Sequence, residues 1–192
     1  RPLMRTAMAF ARLLAATPIP TLLMKLPGRL GFAMAMLAST EFPLERGKYR
    51  AEGDGANGSA ALLLGCVMEG LFTATNRATE RVLTRNGYRM TVARGQGCCG
   101  ALHAHAGDLD AARRLARRNI AAFEKSGARY VVVNAAGCGA MMKEYGHLLS
   151  GDATWADRAR EVSSRVRDVS ELLAAAGPAS GGVIPFTVAY DA

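Results

Sequence analysis

Ala61-Leu62-Leu63-Leu64-Gly65-Cys66 decides the fold: Ala61–Gly65 is an apolar run of strand length that stops at a glycine and delivers a cysteine. Before it, residues 46–60 (RGKYRAEGDGANGSA) hold four glycines and no apolar periodicity. That stretch reads as a linker. A phosphate loop is excluded, because no strand precedes the glycines and no Gly-Lys-Ser/Thr follows them. After Cys66 the pattern alternates. Thr73–Asn86 is helical and stops at Gly87, a good residue for a left-handed cap. Tyr88–Ala93 is a second strand. Asp108 can cap a helix running through Ser126, because Leu109, Ala112, Leu115, Ala116, Ile120 and Phe123 share one face. Tyr130–Asn134, rich in β-branched residues, is a third strand. Strand, helix, strand, helix, strand predicts right-handed βαβ crossovers: an α/β fold with a parallel sheet and flanking helices.

The outer parts are less regular. Trp155, Ala159, Val162, Val166, Val169, Leu173 and Ala176 recur at three- and four-residue steps, a helix seam with a break near Asp168, where Asp168 and Glu171 can form a capping box. Gly177–Gly182 reads as a short linker and Phe186–Tyr190 as the start of a fourth strand. At the other end, residues 1–40 contain five Lys or Arg and no Asp or Glu. Pro18, Pro20 and Pro27 cut that region into pieces too short for the ~20 apolar residues that span a bilayer. Residues 1–45 are expected to be a short helical N-terminal region packed against a partner or a further domain. Arg1, standing where Met would initiate, points to a missing upstream part.

With 192 residues, half of them apolar, the chain can bury a core without disulfide staples. Its four cysteines are too few for a secreted disulfide scaffold and read as reduced thiols. The net charge of +8 raises a nucleic-acid reading. Much of the excess, however, falls on one helix, at Arg113, Arg114, Arg117 and Arg118, with Phe123 as the one aromatic nearby. A solvated face without a stacking platform explains it, and no nucleic-acid partner is expected.

Each cysteine follows a strand: Cys66 the first, Cys98 and Cys99 the second, Cys138 the third. In a parallel sheet the carboxyl ends share one edge, where open α/β folds place their ligands. Glycines flank each cysteine and let backbone amides approach sulfur. Helices begin just after, and their amino ends favour thiolate by about 0.3–1 kcal/mol each. Four thiolates are the complement of a cubane iron–sulfur cluster. A structural zinc also takes four, usually two of them from a Cys-x2–4-Cys knuckle, which is lacking here. A nucleophilic cysteine served by His103 or His105 stays open. No paired carboxylates and no flavin or nicotinamide fingerprint appear, so no catalytic residue is assigned.

Gly65-Cys66-Val67, Asn76 through Leu83 (NRATERVL), Gly97-Cys98-Cys99-Gly100-Ala101, Gly137-Cys138-Gly139 and Lys143-Glu144-Tyr145-Gly146-His147 together resemble the iron–sulfur subunits of glycolate oxidase. Those belong to the wider cysteine-rich CCG family, with heterodisulfide reductase and lactate-utilisation subunits. The resemblance covers residues 61–176 well and the helical start loosely. It implies a full chain with a ferredoxin-like part and two cysteine-rich repeats. On that basis residues 1–45 are the helical segment, 46–60 the linker, 61–176 the CCG domain, and 177–192 a linker with the first strand of a truncated second repeat. The resemblance further implies that Cys66, Cys98, Cys99 and Cys138 ligate an iron–sulfur cluster of 4Fe-4S type, with His105, Gly100 and Gly139 shaping its surroundings. It also implies electron transfer from a flavin-containing partner subunit, which oxidises glycolate to glyoxylate, towards a membrane-associated acceptor. The implied location is cytoplasmic, peripheral at the inner face of the cell membrane. Relatives with Cys-x-x-Cys at the last position bind a five-cysteine cluster; here Met141 stands there, which favours an ordinary four-thiolate one.

Overall fold

Alternation along Ser59–Leu62 (β1) sends Ala60 and Leu62 to one face and Ala61 and Leu63 to the other, and all four are buried. A strand apolar on both faces belongs in the middle of a helix-covered parallel sheet. That is its place in the computed structural model, which describes residues 2–40, 53–183, 185 and 187. Arg89–Thr91 (β2) pairs with β1 on one side and Tyr130–Val133 (β3) on the other, both in parallel. Val166–Asp168 (β4) pairs in parallel with β3, giving the order β2-β1-β3-β4.

Between β1 and β2 run two helices, Val67–Leu71 (α4) and Thr73–Arg85 (α5). Ala101–His105 (α6) and Leu109–Ser126 (α7) connect β2 to β3. Ala136–Lys143 (α8), Tyr145–Leu148 (α9) and Ala156–Ser164 (α10) lead to β4, and Val169–Ala176 (α11) follows it. One face of the sheet packs Ala61, Leu63, Val131 and Val133 against Ala116, Ile120 and Phe123 of α7, Met142 of α8 and Val162 of α10. The opposite face packs Ala60, Leu62, Met90 and Val132 against Leu83 of α5 and Leu172 of α11. Helices thus cover both faces, as the alternation predicts.

The α7 helix starts and stops where its sequence says. The Asp108 side chain accepts the Ala111 N–H at 3.1 Å, and Gly127 closes the helix at φ 64°. The seam from Trp155 to Ala176 differs from expectation. It is two helices with β4 between them, so the fourth strand of the sheet is Val166–Asp168. The capping box forms as expected: Ser170 N–H bonds Asp168 Oδ1 and Asp168 N–H bonds Glu171 Oε2, both at 2.8 Å. Phe186–Tyr190, read as the start of a further strand, lies almost wholly outside the described residues, as do residues 46–52 of the linker. Within that stretch β1 already begins at Ser59.

The amino-terminal region is helical: Pro2–Ala15 (α1), Ile19–Leu23 (α2) and Gly28–Ala38 (α3). It is tied to the sheet domain by Arg12. The guanidinium bonds the carbonyls of Glu69 and Gly70, at the end of α4, and the Thr73 hydroxyl at 3.2 Å. No helix among the described residues is long and apolar enough to cross a membrane.

Candidate metal centre

The strand order reverses between β1 and β3, the place at whose carboxyl edge open α/β sheets put their ligands. All four cysteines lie along that edge. Cys66 sits at the residue before α4, Cys98 and Cys99 just before α6, and Cys138 inside the first turn of α8. Their sulfurs form two close pairs. Cys66 Sγ lies 3.5 Å from Cys98 Sγ, and Cys99 Sγ lies 3.2 Å from Cys138 Sγ. All four are free thiols; Cys99 is buried and the other three are half-buried. Among the described residues, no three His, Cys, Asp or Glu side chains surround a point closely enough to hold a single ion.

Within each pair one thiol donates and the other accepts, which splits their acidities. Cys98 is held below the usual thiol range by the bond from Cys66, helped by Cys99, the Gly100 N–H and the charge of His103. Cys138 is lowered by the bond from Cys99. Cys66 is raised by its bond to Cys98 and by burial, against the lowering influence of the Val67 N–H. Cys99 is raised by its bonds to Cys138 and Cys98 and by burial, with the Ala101 N–H opposing. Charges on Cys138 and Cys98 act on the other sulfurs as well, so the four form one electrostatic unit.

Gly100 is required by its backbone: at φ 94° it turns the chain out of the Cys-Cys pair into α6 and aims its N–H at Cys98. Gly139 acts by packing. A Cβ there would lie 2.9 Å from Val133 Cγ2, so the absent side chain lets α8 sit down on β3. His105 is exposed at the end of α6, and no hydrogen bond joins it to a sulfur. His103 is the imidazole that bears on Cys98, and its Nδ1 lies 3.3 Å from Asp108 Oδ2. Met141 is buried in the core, one turn beyond Cys138. The four arginines of α7 are largely engaged: Arg117 with Asp152, Arg113 with Asp110 and the Leu148 carbonyl, and Arg118 with the carbonyls of Gly95 and Gln96.

Of the polar side chains around the rim, Gln96, Asn119 and Asn134 were not singled out by sequence, and Asn76 and Tyr145 entered only as parts of the resembling motifs. Gln96 accepts the Leu64 N–H at 2.7 Å and donates to the Leu62 carbonyl at 2.9 Å. Asn76 donates to the Leu64 carbonyl at 3.0 Å and accepts from Asn134 at 2.9 Å. Asn119 accepts the Gly97 N–H at 2.8 Å and donates to the Cys98 carbonyl at 2.9 Å and to Tyr145 Oη at 3.0 Å. Tyr145 in turn donates to the Cys99 carbonyl at 2.7 Å. Asn119 had one detectable signal: a fully buried carboxamide inside the apolar stripe of α7, which demands partners.

The donor set is four thiols with no carboxylate or imidazole among them, on three loops braced from outside the sulfurs. Soft metal ions suit such donors.

Comparison with known proteins agrees with this geometry. Residues 60–143 match the family model described as a cysteine-rich domain, CCG. The chain is 42% identical over 113 residues to the probable glycolate oxidase iron–sulfur subunit of Bacillus subtilis (strain 168), covering 59% of this chain and 26% of that protein. It is 43% identical over 115 residues to the glycolate oxidase iron–sulfur subunit of Escherichia coli (strain K12), covering 58% of this chain and 28% of that protein. Lactate utilization protein A of Bacillus velezensis (strain DSM 23117 / BGSC 10A6 / LMG 26770 / FZB42) is 32% identical over 113 residues, covering 59% and 47%. The matches thus span about a quarter to a half of these relatives' own lengths. No solved structure matches. Residues 60–143, which include three strands of the parallel sheet and the four cysteines at its carboxyl edge, are thus similar to the cysteine-rich CCG domain.

Proposed function

We propose that Cys66, Cys98, Cys99 and Cys138 together hold one iron–sulfur cluster, of 4Fe-4S type, and that the chain relays electrons within an oxidoreductase of the glycolate oxidase kind. The observation that carries this is the meeting of four thiols from three separate loops at one sheet edge, in pairs 3.5 and 3.2 Å apart. The names of the two relatives above 40% identity, both iron–sulfur subunits of glycolate oxidase, support the same reading. Such a cluster, when bound, takes up and releases single electrons.

The protein's own contribution is to hold, orient and insulate. The amides of Val67, Gly100 and Ala101 face the sulfurs of Cys66, Cys98 and Cys99 and stabilise their anionic forms. Burial of Cys99 keeps water from one side, while the half-buried Cys66, Cys98 and Cys138 leave a path for electrons from a partner. The carbon chemistry belongs to a flavin-containing subunit that oxidises glycolate to glyoxylate, and the electrons pass on to a membrane-associated acceptor, with this chain peripheral to the membrane on its cytoplasmic side. Met141 in the core, with no thiol at that position, supports a four-cysteine over a five-cysteine cluster. A second reading, a lactate-utilisation type of subunit, is favoured by the relatives of that name, of which the match covers up to 47%. It keeps the same ligands and changes the donor.

Anaerobic reconstitution with iron and sulfide tests the ligand set. A brown protein with a cluster signal in EPR after reduction is expected, and Cys98→Ala or Cys99→Ala should abolish it. A colourless protein that takes up one zinc per chain would overturn the reading in favour of a structural metal domain.

A further inference from the structure

The three cysteine loops are fastened to one another by side chains that never touch a sulfur. Start at the Cys98 loop. Gln96, two residues before Cys98, reaches across to β1 and its extension, taking the Leu64 N–H and giving to the Leu62 carbonyl. Its carboxamide thereby continues the β1–β2 ladder beyond Thr91, where the β2 backbone turns away. Leu64 is two residues before Cys66, so this pairing fixes the spacing of the two loops whose sulfurs lie 3.5 Å apart. The Leu64 carbonyl is held from the other side by Asn76 of α5, itself gripped by Asn134, which opens the Cys138 loop. The covalent chain then runs through α8 to Tyr145, whose hydroxyl returns to the Cys99 carbonyl, with Asn119 bonding both Tyr145 Oη and the Cys98 carbonyl. The path closes on itself around the four thiols.

Asn76, Asn119 and Tyr145 are fully buried. A carboxamide left unsatisfied in that setting costs far more than one paired, so each bond in the circuit is held by the penalty of breaking it. The amide orientations are also forced. Asn119 must present oxygen to the Gly97 N–H and nitrogen to the Cys98 carbonyl, and Gln96 must present oxygen to Leu64 N–H and nitrogen to the Leu62 carbonyl.

We propose that Gln96, Asn76, Asn134, Asn119 and Tyr145 are positioning residues that set the cysteine rim before any metal arrives. The proposal deepens the cluster reading, on which its relevance to iron rests, but it concerns protein atoms alone. A rim of this kind is the opposite of a structural zinc site, in which the metal supplies the folding energy.

The test is residue-resolved hydrogen exchange on the metal-free chain, followed by reconstitution. In metal-free protein the Leu64 and Gly97 amides are expected to exchange slowly. Gln96→Met should speed Leu64 by about tenfold with Gly97 unchanged, and Asn119→Leu should do the reverse, because in each case that amide loses its side-chain acceptor. Gln96→Glu keeps the acceptor for the Leu64 N–H but sets its other carboxylate oxygen against the Leu62 carbonyl, so it should restore Leu64 protection only in part. After reconstitution, both apolar variants should lose iron to a chelator faster than wild type and show a broadened EPR signal. Should Asn119→Leu not fold, Tyr145→Phe removes the Cys99 tether while keeping the ring, and the same faster iron loss is expected.

Fast exchange at Leu64 and Gly97 in metal-free wild type, with protection appearing only on loading, would overturn the proposal: the metal would then build the rim. Unchanged exchange in the apolar variants would overturn it too. If the two amides are protected as described and the wild type takes up no iron, the positioning role stands and the cluster reading falls.

Discussion

Gly100 carries two duties that no other residue can combine. At φ 94° its backbone is in the left-handed region, and an added Cβ would lie 3.4 Å from the Ala112 Cα of α7. Gly100→Ala is therefore expected to cost about 1–2 kcal/mol from backbone conformation alone, read as a lower urea midpoint with an unchanged slope. Because its N–H faces Cys98, the same variant should also retain less iron after reconstitution. The four cysteines and the glycines beside them were plain in the sequence, since thiols after strands announce themselves by type. Gln96 and Asn134 were not. A carboxamide in a loop has no periodicity, and its meaning depends on which backbone groups stand opposite, a fact of three dimensions. Asn119 was half visible, a polar residue at an apolar position of α7; what it bonds was not.

At the scale of elements, β4 shows why the seam misled. Val162, Val166 and Val169 continue a helical spacing, yet Val166–Asp168 is extended, and Val131 to Val133 of β3 are its partners. Three residues are too few to impose a period of two on a longer helical pattern. By contrast α7 declared both its ends through Asp108 and Gly127. Its far end is fastened to α10 by a paired bond from Arg158 to Glu124, 2.9 and 2.5 Å, with the guanidinium also 3.9 Å from the centre of the Trp155 ring. The Arg158 bond holds the Glu124 carboxyl below its usual range. A depressed carboxyl pKa stabilises the fold above the unfolded value of about 4.3, and that contribution is lost as pH falls through the folded value. Glu124→Gln should therefore lower the melting temperature at pH 7, with the gap to wild type closing below about pH 4.3. The α1 helix makes a separate case. Arg12 satisfies the carbonyls of Glu69 and Gly70, and Arg12→Ala leaves them without that partner. Faster chymotryptic cleavage at Phe10, with the remainder of the chain intact, is the expected result.

For the molecule as a whole, the doubly covered parallel sheet followed from three apolar runs and the helices between them. The strand order follows from the same alternation only in part: nothing in the runs says that β3 crosses to the far side of β1. That crossing puts the first-made strand in the middle, flanked by strands made later. It also separates the last cysteine in the chain from the tether that completes the rim, because Tyr145 lies beyond Cys138 and bonds Cys99 across 46 positions. On the ribosome, then, every thiol emerges before the side chain that locks two of them in place, and β1 waits unpaired on one side until β3 has been synthesised. A nascent chain ending at Lys143 carries all four thiols yet lacks both the Tyr145 lock and β4. Such a truncated chain is expected to bind iron transiently and yield it to a competing chelator, whereas release of residues 144–176 should make loading durable.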